Sequence, residues 1–248
     1  MTQEVTVAVF RPDDERLASA VDLLDSLGAT PVADPMLVVE PTGATPASAA
    51  DYTIFTSKTG VELAAEAGWE PGETILVSIG PGTTAAAESV GWTVDREPET
   101  YSSVGLVELL ADEVDGERVE VARSDHGSQE LLDGLDAANA DWSETVLYKL
   151  VRPPESGESA ELAAAGELAA VAFTSSLTVA HFLDAAAERG IREETIEGLD
   201  EAVVGVIGEP TRETAESHGI DVDIVPDEAT FEALATTVVE AAAPSYTE

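Results

Sequence analysis

The stretch "IFTSKTGVELAAEAG", residues 54–68, passes from an apolar run to a helical pattern through Thr56 and Ser57. The same transition recurs in "AFTSSLTVAHFLDAAAERG", residues 172–190. A short apolar run followed at once by a helix is typical of a buried strand and its crossover helix. Because such pairs alternate from residue 5 to residue 242, we predict an α/β fold with parallel sheets.

The two halves of the chain carry the same marked strand ends in the same order. Each half has an arginine that ends a strand, a Thr-Ser corner, a Gly-x-x-Thr corner and a terminal helix. The marked residues are Arg11, Ser57 and Thr83 in the first half, and Arg123, Ser175 and Thr211 in the second. An ordered recurrence predicts two similar domains that arose by duplication. Taken alone, the repeat divides the chain near residue 116.

The charge balance is strongly acidic, since 50 Asp and Glu residues face 11 Lys and Arg residues, for a net charge of −39. The acids are spread along the chain, which favours a solvated surface adapted to molar salt over a dedicated acidic interaction surface. Such a charge argues against nucleic-acid binding through phosphates. It also opposes anionic ligands, but in about 1 M salt the screening length shrinks to about 3 Å, so the local site decides.

The chain has no cysteine, which excludes disulfides, thiolate metal sites and cysteine nucleophiles. His126, His181 and His218 do not have the spacing of metal ligands. The opening "MTQEVTVAVF" lacks the basic region and long apolar stretch of a signal peptide, and no window approaches 18 consecutive apolar residues. We therefore expect a cytoplasmic protein with no metal site and no membrane contact.

The repeated hydroxyl residues fall where ligands bind in open α/β sheets, beyond the carboxyl ends of the strands. Ser57, Ser175, Thr83 and Thr211 follow strands, and we expect each to cap the next helix. Helix N-termini also offer N–H groups and partial positive charge that suit carboxylates or phosphates. Capping is the simpler interpretation of any one corner, whereas four matching corners favour a cleft lined with anion sites.

Arg11 and Arg123 end equivalent strands in a chain that is poor in cations. A guanidinium can hold a carboxylate through two parallel hydrogen bonds, so both arginines are candidate ligand contacts. The alternative is an ion pair with a nearby acid such as Asp13, Asp14 or Asp125.

Several common site motifs are absent from the sequence. There is no Gly-x-Gly-x-x-Gly after the first strand, no Gly-x-x-x-x-Gly-Lys-Ser/Thr and no Gly-x-Ser-x-Gly. "RPDD" at residues 11–14 could belong to a phospho-accepting receiver domain, but the later strand end "IFTS" supplies no acceptor aspartate. These absences predict a two-domain, cofactor-free protein with a polar cleft that tolerates anions.

Seven segments, in order along nearly the whole chain, resemble the uroporphyrinogen-III synthase family. They are "VFRP" (9–12), "IFTSKTGV" (54–61), "SIGPGTTAAAESVGWTVD" (78–95), "YSSVGLVELL" (101–110), "VLYKLVRP" (146–153), "VAFTSSLTVAHFL" (171–183) and "VIGEPTRETAESHGIDVDIVPDEATFEALA" (206–235). The resemblance implies two similar flavodoxin-like α/β domains with parallel sheets, joined by a two-stranded linker, with a cleft between them.

The resemblance also implies where the domains begin and end. Residues 1–35 and 153–248 would form a discontinuous first domain, around an inserted second domain of residues 36–152. "PMLVVEP" (35–41) and "VLYKLVRP" (146–153) would be the linker strands.

The family converts the linear tetrapyrrole hydroxymethylbilane into uroporphyrinogen III, with loss of water and inversion of the last pyrrole ring, in haem biosynthesis. The resemblance therefore implies a lyase that needs no cofactor and acts on a substrate with carboxylates on every ring. Positioning and fixed dipoles would supply most of the catalysis. The expected state is a monomer that makes transient contact with the preceding enzyme of the pathway.

Site residues follow from the resemblance residue by residue. Tyr148 in "VLYKL" matches the tyrosine suggested as the family's acid, and the alternative is a linker tyrosine with its hydroxyl in water. The expected substrate-binding residues are Arg11, Ser57, Lys58, Thr83, Ser102, Ser103, Arg123, Ser175, Ser176 and Thr211. Lys58 could instead pair with Glu62 one turn later, and Glu209 in "IGEPT" replaces an uncharged residue that is more common in the family.

Two other functions stay open on the sequence. One is a non-catalytic bilobal module that binds or senses a ligand in the same kind of cleft. The other is a different two-domain α/β enzyme, such as a sugar-nucleotide transferase, which would need a nucleotide fingerprint that the sequence lacks.

Overall fold

The structure, a computed structural model, describes residues 5–12 and 15–243. Its elements are β1 (Thr6–Val9), α1 (Glu15–Ser26), β2 (Thr30–Ala33), β3 (Val38–Pro41), β4 (Tyr52–Phe55), α2 (Lys58–Glu66), β5 (Ile75–Ser78), α3 (Pro81–Ser89), α4 (Ser103–Leu110), β6 (Arg118–Ser124), α5 (Gln129–Ala137), β7 (Asp141–Val151), α6 (Glu158–Ala164), β8 (Ala170–Phe173), α7 (Ser176–Glu188), α8 (Arg192–Leu199), β9 (Val203–Val206), α9 (Glu209–Ser217) and α10 (Phe231–Ala242). The chain divides into two compact units. We call residues 1–38 with 151–248 the outer unit, and residues 39–150 the inserted unit.

Each unit is built on one sheet with parallel strand pairs. The outer sheet has the order β2-β1-β8-β9, and the inserted sheet has the order β3-β7-β6-β4-β5. In the outer sheet, β1 pairs in parallel with β2 and β8, and β8 pairs in parallel with β9. In the inserted sheet, β4 pairs in parallel with β5 and β6, and β6 with β7. The predicted α/β fold with parallel sheets is confirmed.

Helices cover both faces of each sheet, which explains why the central strands are apolar at nearly every position. Val7 of β1 faces a core that includes α1 and α10, whereas the next residue, Ala8, faces a core that includes α7. In the inserted sheet, Ile54 packs with α4 and α5, and Phe55 packs with α2 and α3. Side chains alternate between the two faces because the strand period is two residues.

The predicted repeat is present, but the halves of the sequence are not the units of the fold. β1, β8 and β9 of the outer sheet correspond in spatial order to β6, β4 and β5 of the inserted sheet. The strand before Arg11 therefore lies beside the strand before Ser175, and the strand of Arg123 lies beside the strand before Ser57. A boundary near residue 116 would separate β6 from its partner β4, so that boundary is wrong. Pairing between distant segments, which a linear repeat does not show, decides the units.

Two predicted strands are reduced to single bridges. "WTVDREP" and "DVDIVP" are each joined to their sheet by one isolated bridge. Beside each bridge an aspartate side chain supports the neighbouring strand: Asp95 accepts from the N–H of Leu76 at 2.9 Å, and Asp223 accepts from the N–H of Val204 at 2.8 Å. In each case the carboxylate accepts the strand N–H that a backbone carbonyl would accept if the paired strand were longer.

The sequence pattern does not predict β2 or α8, and both lack a strong local signal. The four residues of β2, "TPVA", lie at an edge of the sheet, are partly exposed and include a proline. The helix α8, "REETIEGL", is dominated by charged residues. The helix predicted from Asp14 is observed as α1 from Glu15, and Asp14 itself lies outside the described residues.

Candidate active site

A hydrogen-bonded pair lies at the carboxyl end of the inserted sheet. Tyr148 of β7 is 6% exposed, and its hydroxyl donates to Oγ of Ser57 at 2.9 Å. Ser57 is the N-cap of α2, and its Oγ accepts from the N–H of Gly60 at 3.0 Å. The predicted acid and the predicted corner are therefore in direct contact, and the phenol hydroxyl is anchored to a helix N-terminus.

Local irregularity in β7 aims the tyrosine at this corner. In the pairing of β6 with β7, Arg123 opposes Val146 but Ser124 opposes Tyr148, so one residue of β7 is skipped. A bulge of this kind re-aims the side chain that follows it. Gly60 leaves room for the contact, because a Cβ there would lie 3.1 Å from Oγ of Ser57.

The two Gly-x-x-Thr corners are built differently from the prediction. Thr83 and Thr211 do not cap α3 and α9, because each is the third helical residue and is buried. The N-caps are Gly80 and Gly208, since a proline in the first turn of each helix pre-sets its φ and lets the helix start before the threonine. Within the described part of the chain, no side-chain oxygen caps either helix. Pro81 and Pro210 have no N–H, and the N–H groups of Thr83 and Thr211 donate to the carbonyls of Gly80 and Gly208. Gly82 and Glu209 therefore supply the first-turn amides that remain for an anion.

The corner after β8 links two elements of the outer unit. Ser175 is the N-cap of α7, and its Oγ accepts from the N–H of Thr178 at 3.2 Å, so the predicted cap is confirmed. The hydroxyl of Ser176 donates to the carbonyl of Pro210 at 2.9 Å. This bond brings Ser176 next to the N-terminus of α9, where Thr211 lies.

Ser102 and Ser103 occupy the start of α4. Ser102 is its N-cap and accepts from the N–H of Gly105 at 3.1 Å, and Ser103 is the first helical residue. Gly105 is required there, because a Cβ would lie 1.9 Å from the carbonyl oxygen of Thr100. The turn before α4 is therefore held tightly against the helix.

Comparisons with known proteins show the family to which the chain belongs. A family model described as "Uroporphyrinogen-III synthase HemD" matches residues 18–236. The chain belongs to the uroporphyrinogen-III synthase family. A relative from Methanothermobacter thermautotrophicus named "Putative uroporphyrinogen-III synthase" is 33% identical, over 86% of this chain and 90% of its own length.

Solved uroporphyrinogen III synthases share the fold. A mutant enzyme from the extremely thermophilic bacterium Thermus thermophilus superposes with a TM-score of 0.66 at 17% identity, covering 96% of this chain and 98% of its own. The enzyme from Helicobacter pylori gives a TM-score of 0.60 at 13% identity, covering 96% of this chain and 99% of its own. Because the chain belongs to this family, it is an enzyme of tetrapyrrole synthesis.

The cationic side chains predicted to bind substrate lie in surroundings that differ from one another. The guanidinium of Arg11 lies over the ring of Phe231, 4.9 Å from its centroid, at the start of α10. Two acids considered as its partners, Asp13 and Asp14, lie outside the described residues. A cation over an aromatic face is stabilised and oriented, and Arg11 keeps its place near the carboxyl end of β1.

Arg123 and Lys58 already have acidic partners. Arg123 is 5% exposed, and its Nε donates to Glu144 at 2.7 Å, while its Nη1 donates to the carbonyl of Ser128 at 2.6 Å. It therefore holds the loop before α5, and its partner is not the expected Asp125. Lys58 is exposed and pairs with Glu62 at 3.4 Å, which is the alternative that the sequence allowed.

Two residues that the sequence motifs did not single out also lie at the carboxyl end of the inserted sheet. Tyr101 is 61% exposed, and its Cβ and ring atoms would lie 3.1–3.2 Å from a Cβ at Gly80. Glu97 accepts hydrogen bonds from the hydroxyls of Thr84 and Ser78. A large aromatic residue placed just before a predicted helix, in a chain with 5% aromatics, is the signal that could have found Tyr101.

A surface depression of about 500 Å³ lies at the opposite edge of the inserted sheet. Its wall includes Ile75, the first residue of β5, and the acids Glu70, Glu73 and Asp95. Three acids make it a poor receptor for a carboxylate-bearing ligand. Among the described residues, no group of three or more His, Asp or Glu could hold a metal ion, and no helix is both long and apolar enough to cross a membrane.

Proposed function

We propose that this chain is a uroporphyrinogen-III synthase that cyclises hydroxymethylbilane with loss of water and inversion of the last pyrrole ring. The contact of Tyr148 with Ser57 carries the proposal, because it places a phenol hydroxyl at a helix corner of a chain that belongs to this family. The groups proposed as ligands are hydroxyls, backbone amides, an arginine and a lysine, and the proposed chemistry requires no cofactor.

The substrate presents an acetate and a propionate on every pyrrole ring. The N-termini of α3 and α9, which no side chain caps, offer the amides of Gly82 and Glu209 and partial positive charge to such carboxylates. In the outer unit, Ser176 and the guanidinium of Arg11 add donors near the carboxyl ends of β8 and β1. We propose that these groups, with Ser57, Ser102, Ser103, Ser175, Lys58, Thr83 and Thr211, hold the substrate.

In the first step, the C–O bond of the terminal hydroxymethyl group breaks, and the electron pair on the pyrrole nitrogen compensates the electron-deficient carbon. The leaving hydroxyl takes a proton from the Tyr148 hydroxyl and departs as water, which leaves a cationic azafulvene. Ser57 Oγ is the group that orients the phenol, since it already accepts from it at 2.9 Å. General acids of this kind contribute typically about 10²–10⁴-fold.

The methylene carbon of the azafulvene then bonds to the substituted carbon of the last ring, which forms a spiro-pyrrolenine. The bond between this substituted carbon and the methylene that joins the last ring to its neighbour then breaks, and that methylene bonds instead to the free α-carbon of the ring, which inverts the ring. The hydrogen on that α-carbon leaves as a proton, which restores the aromatic pyrrole and the Tyr148 hydroxyl. One water is released overall. Closing at the substituted carbon requires a defined fold of the bilane, and positioning by the carboxylate contacts supplies it.

The test is to supply hydroxymethylbilane in molar KCl, oxidise the products and separate the porphyrin isomers. We expect the type III isomer to exceed the type I isomer that forms spontaneously. Type I alone would contradict the enzyme and favour a non-catalytic ligand-binding module.

Replacing Tyr148 by Phe tests the acid. The ring would still fill its buried place, but the proton donor would be lost, so kcat should fall about 10- to 100-fold while KM stays near the wild-type value. The hydroxyl of an electron-rich pyrrole leaves readily, which is why we expect a loss at or below the lower end of the usual range for a general acid. A change of less than twofold would show that positioning acts without this hydroxyl.

We also propose a cytoplasmic monomer adapted to high salt. The net charge of −39 supports this view, because charges that repel one another in dilute buffer are screened in molar salt. Light scattering in molar KCl should give the mass of one 25.8 kDa chain.

A further inference from the structure

Beyond the acid at Tyr148, the inserted unit holds a carboxylate and an aromatic ring at the first turn of α3. The carboxylate of Glu97 accepts from the hydroxyl of Thr84, and from the hydroxyl of Ser78 at 3.4 Å. The base of the Tyr101 ring lies against Gly80, which has no side chain to keep it away. Both residues belong to the short segment that leads into α4.

The two groups contact the same turn of the chain. The N–H of Thr84 donates to the carbonyl of Gly80 at 3.0 Å, so these residues are one helical turn apart. The Glu97 carboxylate and the Tyr101 ring are therefore both held at the first turn of α3, the carboxylate by Thr84 and the ring by Gly80.

Both groups are accessible and fixed. Tyr101 is 61% exposed although its base is packed, and Glu97 is exposed although its carboxylate is hydrogen-bonded. Ser78, one of the hydroxyl partners, is buried, and the hydroxyls of Ser78 and Thr84 lie 2.6 Å apart. The carboxylate is thus oriented by a connected set of hydroxyls and does not move freely as a surface acid would.

Their position is next to the proposed acid. Ser78 ends β5 and is the register partner of Phe55, which ends β4 and precedes the Ser57 corner. Neighbouring strands lie about 4.8 Å apart, so the two corners open on the same edge of the sheet. A ring that loses its hydroxyl at Tyr148 becomes positively charged close to this edge.

We propose that Glu97 and Tyr101 form a cation-stabilising subsite for the pyrrole ring that carries the positive charge during ring closure. An aromatic face attracts a cation through its quadrupole, and a fixed carboxylate attracts it through its full charge. The substrate itself is an anion, so a carboxylate here weakens its binding and favours the cationic intermediate. Glu97 therefore acts on kcat and opposes a low KM. This inference rests on the synthase reaction proposed above.

The experiment measures kcat and KM for type III formation from hydroxymethylbilane in molar KCl. Glu97→Gln keeps the size and an acceptor for the hydroxyls but removes the charge, so kcat should fall about tenfold or more while KM stays the same or decreases. Tyr101→Leu should lower kcat about fivefold, whereas Tyr101→Phe, which keeps the aromatic face, should stay within about twofold of the wild type.

Glu99→Gln is the matched control, because it removes an exposed acid from the same segment two residues away. It should leave kcat unchanged. A Glu97→Gln variant with the wild-type kcat, or with a raised KM as its one change, would overturn the subsite. Equal decreases in kcat for Glu97→Gln and Glu99→Gln would also overturn it. If Glu97→Gln fails to fold, the pair Tyr101→Leu and Tyr101→Phe decides, and equal rates for the two overturn the subsite. Type I product alone from the wild-type chain would instead overturn the synthase reaction.

Discussion

The inserted and outer units repeat one design, and an offset of 128 residues aligns their last strand and the helices that follow it. Asp95 and Asp223 support the neighbouring strand in the same way, and Gly80 and Gly208 cap the next helix through the backbone. The aspartates recur because each sheet needs its edge supported, and the helix starts recur because each unit offers a helix N-terminus, which we propose as a carboxylate site. Features present in one unit alone are the better candidates for chemistry.

The units differ most at their corners. Ser57 accepts a hydrogen bond from Tyr148, which β7 supplies, whereas the corresponding strand of the outer unit, β2, consists of "TPVA" and has no tyrosine. Glu97 and Tyr101 of the inserted unit are replaced at the same offset by Val225 and Ala229. The groups that we propose for catalysis, Tyr148, Glu97 and Tyr101, therefore all lie in the inserted unit. We propose that the outer unit contributes substrate-binding donors, with Arg11 and Ser176 as its distinctive members.

The largest effect we expect is on removal of salt. Transfer from molar KCl to 0.1 M salt lengthens the screening distance from about 3 Å to about 10 Å, and repulsion among 50 acids should unfold the chain. All three tryptophans, Trp69, Trp92 and Trp142, lie in the inserted unit, so their fluorescence reports that unit, while far-UV circular dichroism reports both.

Because the acids are spread over the whole sequence, the fluorescence and dichroism transitions should cover the same salt range. Transitions at different salt concentrations would show that one unit depends on salt more than the other, and native dichroism in 0.1 M salt would contradict the predicted dependence altogether.

A smaller effect separates the units at their terminal helices. Gly105 of α4 corresponds to Ala233 of α10, and both N–H groups are capped by the preceding Ser102 or Thr230. A methyl group at Gly105 would lie 1.9 Å from the carbonyl oxygen of Thr100, so Gly105→Ala should destabilise the inserted unit by about 3 kcal/mol. Ala233→Gly should cost only about 1 kcal/mol. Urea unfolding in molar KCl measures both, and equal losses would mean that the two turns are built alike.

The smallest effect distinguishes the two serine corners. Ser57→Ala and Ser175→Ala each remove an N-cap and should each lower stability by about 1 kcal/mol. Only Ser57 orients the phenol, so Ser57→Ala should also lower kcat about tenfold, whereas Ser175→Ala should act mainly by raising KM. Equal decreases in kcat would remove the functional distinction between the corners.

Much of the local structure could be predicted from the sequence. The transition from an apolar run to Thr-Ser and then to a helical pattern correctly indicated the ends of β4 and β8 and the caps at Ser57 and Ser175. These features depend on residues that are neighbours along the chain. The threonine corners were misjudged, because the proline that starts each helix earlier has a stronger local effect than the threonine hydroxyl.

The sequence by itself determined the alternation of strands and helices, the acidic surface and the family to which the chain belongs. Only the tertiary structure decided that β1 pairs with β8 and β6 with β4, and that the hydroxyl of Tyr148 meets Ser57 across 91 residues of sequence. Propensity and capping act within a few residues. Strand pairing, the bulge in β7 and the packing of Tyr101 on Gly80 depend on segments that come together only when the sheet forms.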